Sequence, residues 1–567
     1  MLQAAIRLAV VAALASSPAL AAWADLPTPE QVGFHHCALI YERKTRSKAD
    51  LLPYVSHVAS GRPRAWLFHA FLFLHFTARS GVRTDDGPTT RSDWEYQLDQ
   101  WFAPGRDLHA LDEAVAEAAR RLGKPPRPRL VLLTIPYPNP TVRDFGAGLD
   151  GASLDLQDQD GVRKAAEWYV GEAVRRFASA GFRHLKLWGI YWMREEMPLS
   201  DEPRVRTVAD VVHQAGLKFA WIPWWRASGF DRWRVPGFDV AFLQPNYAFH
   251  AWTHGGSVRR NRLAAAADLA AKHGLGIEME AGDVVNSEAD RLAFLHYLAD
   301  GATGMLDYQR SAMAYYLGTE TIERISTSNR PQDRLVYDSL ARYIAGNRVP
   351  DPSPRLALNR TGDVLEARLS SQRRISALDI LLDEPDRSAA WTGQVEVLVR
   401  KSRAESWRAG GWAIRSGYDE TAGSRQVITV PIGQVASELR VVAHGQNGRP
   451  LVPARLVAET LERETPRSHA ARGCAYVVSP RASGVYDDDG AKLTDGYVPE
   501  RGFSEGRSVG WTSPSVAVSF DLGASRRFDR IEAVCQGGSY AAVNWPADAI
   551  AMISDDAPPP ASLTGQG

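Results

Sequence analysis

Two short segments set acidic residues on otherwise apolar backbone. One is Gly276-Ile277-Glu278-Met279-Glu280-Ala281; the other is Gly189-Ile190-Tyr191-Trp192-Met193-Arg194-Glu195-Glu196. Residues two apart on a strand share a face, so Glu278 and Glu280 point together while Ile277 and Met279 point away. A carboxylate facing an apolar interior is costly unless it is partnered or used. One use is glycoside hydrolysis, in which one carboxyl group protonates the leaving oxygen and a second attacks the sugar or activates water. The structural alternative is a buried ion pair with Arg or Lys. Glu195 and Glu280 form the preferred catalytic pair, with Glu196 and Glu278 as alternates. Glu195 continues the parity of Gly189, Tyr191 and Met193, and Glu280 lies nearer the end of its strand than Glu278.

A scaffold must bring those segments together. Near-continuous apolar runs occur at 34–41, 65–76, 129–137, 184–192, 217–225, 239–244, 275–280 and 303–308, as expected for parallel strands covered on both faces. Helical patterns separate them: in 161–177 the apolar stripe is Val162, Ala165, Ala166, Tyr169, Val170, Ala173, Val174 and Phe177. Gly181-Phe182, Gly216-Leu217 and Gly274-Leu275 each read as a helix stop opening a strand. The expected fold class is α/β, an eight-stranded TIM-like (β/α) barrel over 23–348, followed by one or two all-β sandwich domains. Sites in such barrels form at the C-terminal ends of the strands. Strands 4 and 7 lie across the mouth from each other, so their carboxylates can flank one bond. The other strand ends offer aromatic rings to stack on sugars and amides to bond hydroxyls. Tyr191, Trp192, Trp224, Trp225, Gln244, Asn246, Tyr247 and Asp307 are the expected substrate-binding residues.

The glutamates after strands 4 and 7 make the segment from Phe34 to Asn347 resemble the large clan of barrel glycoside hydrolases. In that clan the acid/base glutamate follows strand 4 and the nucleophile ends strand 7. The chain is also similar to a group of secreted bacterial barrels carrying Gly-aromatic-Tyr-Trp-x-x-Glu and Glu-x-Glu segments. The clan's usual Asn before the strand-4 glutamate is replaced by Arg194. The resemblance implies a glycosidase acting on a polysaccharide or oligosaccharide with retention, and no cofactor for catalysis. A non-catalytic carbohydrate-binding barrel is the rival expectation.

The remaining sequence frames that reading. Residues 1–22 have the weakly positive start, apolar run and small-residue end of a signal peptide, implying a secreted or periplasmic protein with no membrane segment after cleavage. Lys plus Arg and Asp plus Glu are equal at 66 each, which argues against a nucleic-acid partner. Seventeen Trp fit either sugar stacking or large cores. A Pro-rich linker, Val349-Pro350-Asp351-Pro352-Ser353-Pro354, precedes short alternating strands in a sandwich expected over 355–462. The segment 469–555, with Tyr486-Asp487-Asp488-Asp489-Gly490, Trp511 and Phe520-Asp521-Leu522-Gly523, resembles a galactose-binding-like (discoidin-type) sandwich, incomplete here. That resemblance implies glycan binding and a structural calcium at Asp495. Residues 556–567 read as a disordered tail. Cys37 reads as a buried thiol, and Cys474 and Cys535 are close enough in sequence to be candidates for a bridge.

Overall fold

The computed structural model describes residues 26–41, 45–149, 151–248, 261–282, 284–285, 288–302, 306 and 308–352 of the N-terminal part. Beyond the linker it describes 356–361, 364–382, 391, 393–415, 427–445, 451–460, 470–482, 486–495, 508–526, 528, 531, 533, 535 and 550–554. The expected signal peptide and tail lie outside these residues. No described helix is long and apolar enough to cross a membrane.

Eight parallel strands close into a barrel: β1 (His36–Tyr41), β2 (Ala70–Leu74), β3 (Arg129–Ile135), β4 (Leu185–Trp192), β5 (Lys218–Trp221), β6 (Val240–Leu243), β7 (Gly276–Ala281) and β8 (Met313–Leu317). Six of these fall within the predicted runs, and β7 overruns its run by one residue. The eighth lies outside its run. Residues 308–310 form a 3-10 turn, and strand 8 is the later Met-Ala-Tyr-Tyr-Leu run closed by Gly318 at φ +59°. Gln309 accepts a hydrogen bond from His35 Nε2 (2.7 Å) beside the start of β1, at the opposite end of the barrel from the mouth.

Helices α1 (Lys48–Val55), α2 (Arg91–Trp101), α3 (Leu108–Leu122), α4 (Gln159–Ser179), α5 (Glu202–Gln214), α6 (Asn261–His273), α7 (Glu288–Gly301), α8 (Thr321–Thr327) and α9 (Pro331–Ile344) accompany the strands. Between β5 and β6 the chain makes only a 3-10 turn at Phe230–Arg232. The Gly-apolar stops behave as read: Gly216 sits at φ +72°, and Leu217 N–H reaches back to the Val212 carbonyl (3.1 Å), closing α5 and opening β5.

Two apolar layers hold the barrel. Strand residues facing outward pack under the helices, where Trp94, Trp101, Trp192 and Trp221 are fully buried. Much of the tryptophan excess is therefore core. Residues facing the axis form the second layer, including Phe34, Cys37, Leu39, Leu72, Leu132, Tyr191, Ala220, Phe242 and Ala314. The N-terminal end is plugged: Val32 and Phe34 enter the axial cluster, and Trp188 Nε1 donates to the Val32 carbonyl (2.9 Å). In β7, Gly276 gives its space to Phe242, since a Cβ there would lie 2.4 Å from that ring and 2.8 Å from the Ala312 carbonyl. G276A is expected to destabilise the barrel by roughly 1–3 kcal/mol through overpacking, read as a lower urea midpoint; an unchanged midpoint would refute this packing.

Beyond the linker, six antiparallel strands form one continuous sheet: β9 (Ala357–Thr361), β10 (Val364–Leu382), β11 (Gly393–Arg400), β12 (Arg408–Arg415), β13 (Val427–Gly445) and β14 (Pro453–Thr460). Register shifts at Arg368/Arg373 and Ile375/Ala377 interrupt the long β10, so one half pairs with β9 and the other with β14. Both halves feed one core containing Leu365, Leu369, Ile380, Val397, Val430 and Leu456.

In the last segment the described pairing is a two-stranded sheet, β15 (Ala475–Ser479) with β16 (Ala517–Asp521). This does not define a discoidin-type sandwich. Its acidic turn is internally satisfied: Asp488 accepts from Tyr476 Oη (2.5 Å), and Asp489 accepts from the Ala491 and Lys492 N–H groups. No described group of three or more His, Cys, Asp or Glu side chains is arranged to hold a metal ion. Cys37, Cys474 and Cys535 are all free thiols, so the candidate bridge does not form.

Candidate active site at the barrel mouth

Strand parity builds the site. On β8, Ala314 and Tyr316 pair with Glu278 and Glu280 of β7, and both Ala314 and Tyr316 belong to the axial layer. The two glutamates therefore face the axis one layer apart, as the alternation predicted. They are 1% and 3% exposed, and neither makes an ion pair with a described residue. Oε2 of Glu278 and Oε1 of Glu280 have no hydrogen-bond partner. The expected alternative, a buried ion pair inside the barrel, is not formed with any described residue.

Glu195 reaches the same place from β4. The pairing of β3 with β4 shifts between Val131 and Leu132, and Tyr191 and Met193 beyond this irregularity both face the axis. Glu195 Oε1 accepts a hydrogen bond from Gln244 Nε2 (3.0 Å), at the end of β6. Glu196 is otherwise engaged: Arg194 holds it at 3.1 Å and also pairs with Asp201 at 3.1 Å, while its guanidinium lies 4.8 Å from the Tyr137 ring centroid. Arg194, in the position where the glycosidase clan has Asn, thus draws away Glu196 and leaves Glu195 to the cleft.

Three carboxyl groups crowded in one apolar pocket resist ionisation. Burial pushes Glu195 up to about 7, with Asp85 adding repulsion and the Gln244 amide and Arg83 opposing it. Burial pushes Glu280 up to about 8, reinforced by Glu195 and opposed by the Asn246 N–H and Arg262. Glu278 is held well above the ordinary carboxylate range by burial, then by Glu280 and Glu195. The Asn246 backbone sits in the left-handed region at φ +49°, which Asn tolerates better than most residues, and its Oδ1 accepts from Trp225 N–H (2.9 Å).

The other predicted contacts divide by parity. Tyr191 faces the axis, and burial together with Glu195 and Glu278 pushes its phenol up. Gln244 joins the cluster directly. Trp192, the next residue after Tyr191, points outward and is fully buried against Tyr137 and Phe219, so it cannot stack on a ligand in the mouth. Trp225 lies in the outer core under Arg262, whose guanidinium is 4.5 Å from its ring centroid. Tyr247 turns toward the helices, its Oη 2.9 Å from His296 Nδ1. Trp224 is half-buried just beyond β5. Asp307 lies outside the described residues; its neighbours Tyr308 and Gln309 bond the carbonyls of Tyr297, Tyr343 and Asn347.

Several lining residues were not anticipated. Tyr41 and Tyr316 end β1 and β8, with ring centroids 4.4 Å apart, and Phe76 stacks on Tyr41 at 5.2 Å. Continuing the inward parity of Cys37 and Leu39 would have found Tyr41. Burial and then Glu278 and Glu195 push the Tyr41 phenol well up. The loop after β2 contributes the Arg83–Asp85 pair, Nε to Oδ1 at 2.9 Å, whose charges are felt at Glu195. Only its spacing after strand 2 could have signalled that loop.

The family model described as a domain of unknown function, DUF4855, matches residues 37–342. No curated protein matches the chain. Among solved structures, a family 29 glycoside hydrolase from an unknown rumen bacterium is 10% identical at a TM-score of 0.28, covering 81% of this chain and 82% of its own. A Ruminococcus gnavus family 29 fucosidase, solved with fucose, is 10% identical at a TM-score of 0.27, covering 79% of this chain and 98% of its own. A family 89 glycoside hydrolase from Clostridium perfringens, in complex with PUGNAc, is 9% identical at a TM-score of 0.15, covering 20% of this chain and 12% of its own. Similarities this distant bear on neither the chemistry nor the substrate of this chain. The family match covers more than half of the 567 residues and spans the whole barrel from β1 to α9, so the chain belongs to the DUF4855 family.

Proposed function

We propose that the barrel is a glycoside hydrolase acting on a polysaccharide or oligosaccharide, with Glu195 and Glu280 as its catalytic carboxyl groups. The observation that carries this reading is the set of three mutually repelling carboxyls at the C-terminal mouth, buried Glu278 and Glu280 and half-buried Glu195. Two of them hold oxygens with no partner. A fold that only needed stability would gain by replacing them with apolar residues. In the reaction, the protonated Glu195 gives its proton to the glycosidic oxygen as the C1–O bond breaks. Ionised Glu280 attacks C1, and water then releases the sugar while Glu195 takes the proton back, giving net retention. A site that cannot ionise fully keeps at least one acid protonated near neutral pH; in the free site Glu280 holds its proton more tightly than Glu195, so this division requires the bound sugar to settle the proton on Glu195. Tyr191, Gln244 and Asn246 are the nearest groups to orient the sugar. The apolar N-terminal run supports export, and Asp495 remains the proposed structural calcium position.

The test is reducing-end release from a panel of neutral, acidic and basic polysaccharides, with proton NMR of the first product to read the anomer. Release with retained configuration is expected. Tight binding with no bond cleavage across the panel would favour the carbohydrate-binding barrel instead.

A further inference from the structure

We propose that the floor of this cleft is a subsite for a positively charged amino sugar, whose ammonium group is received by the Glu278 carboxylate. The inference rests on the hydrolase reading and adds the class of substrate.

Hydrolysis of a glycosidic bond needs two carboxyl groups. Glu278 is a third, lying one layer below Glu280 on the same strand face. It is 1% exposed, has no ion-pair partner among the described residues, and leaves Oε2 without a hydrogen bond. Glu280 and Glu195 both repel its charge, and the neutral Gln244 amide is what opposes them. A neutral sugar hydroxyl would satisfy Oε2 but leave that repulsion in place. An ammonium group supplies both the donors and the missing positive charge, and the proton it displaces from the cluster passes to solvent.

The walls fit the same ligand. Glu278 acts on the phenols of both Tyr41 and Tyr191, and the Tyr41 ring stacks on Phe76 and meets Tyr316 at a tilt. Aromatic faces stack on a sugar ring and also attract a cation. Three described cations near the mouth are already engaged, while Arg226, just beyond β5, is exposed. Arg83 pairs with Asp85, Arg194 pairs with Glu196 and Asp201, and Arg262 lies over Trp225 and donates to the Pro245 carbonyl at 3.4 Å. An acidic sugar would therefore meet three carboxyls.

The experiment is a thermal-shift titration of the full chain with protonated glucosamine and galactosamine, their N-acetylated forms, and glucose. The wild type should show a rise in melting temperature with at least one free amino sugar, with an affinity at least ~10-fold above its N-acetylated form, as loss of a charge-assisted contact costs about that much. E278Q should remove the preference while still melting cooperatively, which reports that it is folded. Equal affinities in the wild type, or a preference that survives E278Q, would overturn the subsite. The outcome is separable from the hydrolase reading: cleavage of a neutral polymer with no amino-sugar preference leaves the enzyme standing and removes only this proposal. Binding of amino sugars with no cleavage of any polymer does the reverse.

Discussion

E280Q and E195Q are each expected to lower kcat/KM by about 100- to 10,000-fold, the range that a positioned acid or base contributes. Both variants should fold, because each replaces a carboxyl with an uncharged group of the same shape. Their failures should differ in kind. Without Glu280 the step that attacks the sugar is lost, so a small anion such as azide should restore turnover by attacking in its place. Without Glu195 the leaving oxygen lacks its proton, so substrates with an activated leaving group should suffer least. Glu196 serves as the internal control: held by Arg194 at 3.1 Å and partly exposed, it should tolerate Gln with less than a ~10-fold change. If E196Q abolished activity while E195Q did not, the assignment within that pair would be reversed.

The second large effect is on stability. A carboxyl whose proton affinity is raised by folding contributes stability that is complete below its ordinary value near 4.5 and is lost as pH rises through the folded value. Glu195 is pushed up to about 7 and Glu280 to about 8, while Glu278 is pushed well above the ordinary value. The melting temperature should therefore fall as pH rises from about 5 to about 8, a loss on the order of a few kcal/mol. E278Q and E280Q should flatten that slope and raise the melting temperature at the alkaline end. A wild-type melting temperature that climbs over this window, or variants that melt lower at about pH 8, would contradict the burial and repulsion described for the cluster. The same arithmetic explains why such a cluster persists only where it is used: the fold is more stable without it.

Most of the scaffold could be read from the sequence because buried parallel strands announce themselves as apolar runs. The inward pair Glu278 and Glu280 followed from simple alternation, and Glu195 from the parity of Tyr191 and Met193. Alternation also explains where the structure differs. Trp192 sits beside Tyr191 and Tyr247 beside Asn246, and facing direction rather than aromatic type decides which of each pair reaches the mouth. Strand 8 lies later than the sequence predicts, because 303–308 and Met313–Leu317 are both short apolar runs. Only barrel closure against β1, with His36 paired to Met313, chooses between them. That shift conceals Tyr316. Gln244, expected as a sugar ligand, also bonds Glu195 through its amide; such a pairing between distant strands leaves no local pattern in a chain. The Arg83–Asp85 loop is legible only once β2 is known to end just before it.

The most direct test of the central claim is hydrolysis in water enriched in heavy oxygen, followed by mass spectrometry of the shortened glycans. The wild type should place one heavy oxygen at the new reducing end of each product, and E280Q should give no labelled product on the same timescale. Shortened but unlabelled chains would mean bond cleavage by elimination, and bound but intact chains would mean a binding protein; either result contradicts hydrolysis by this pair of glutamates.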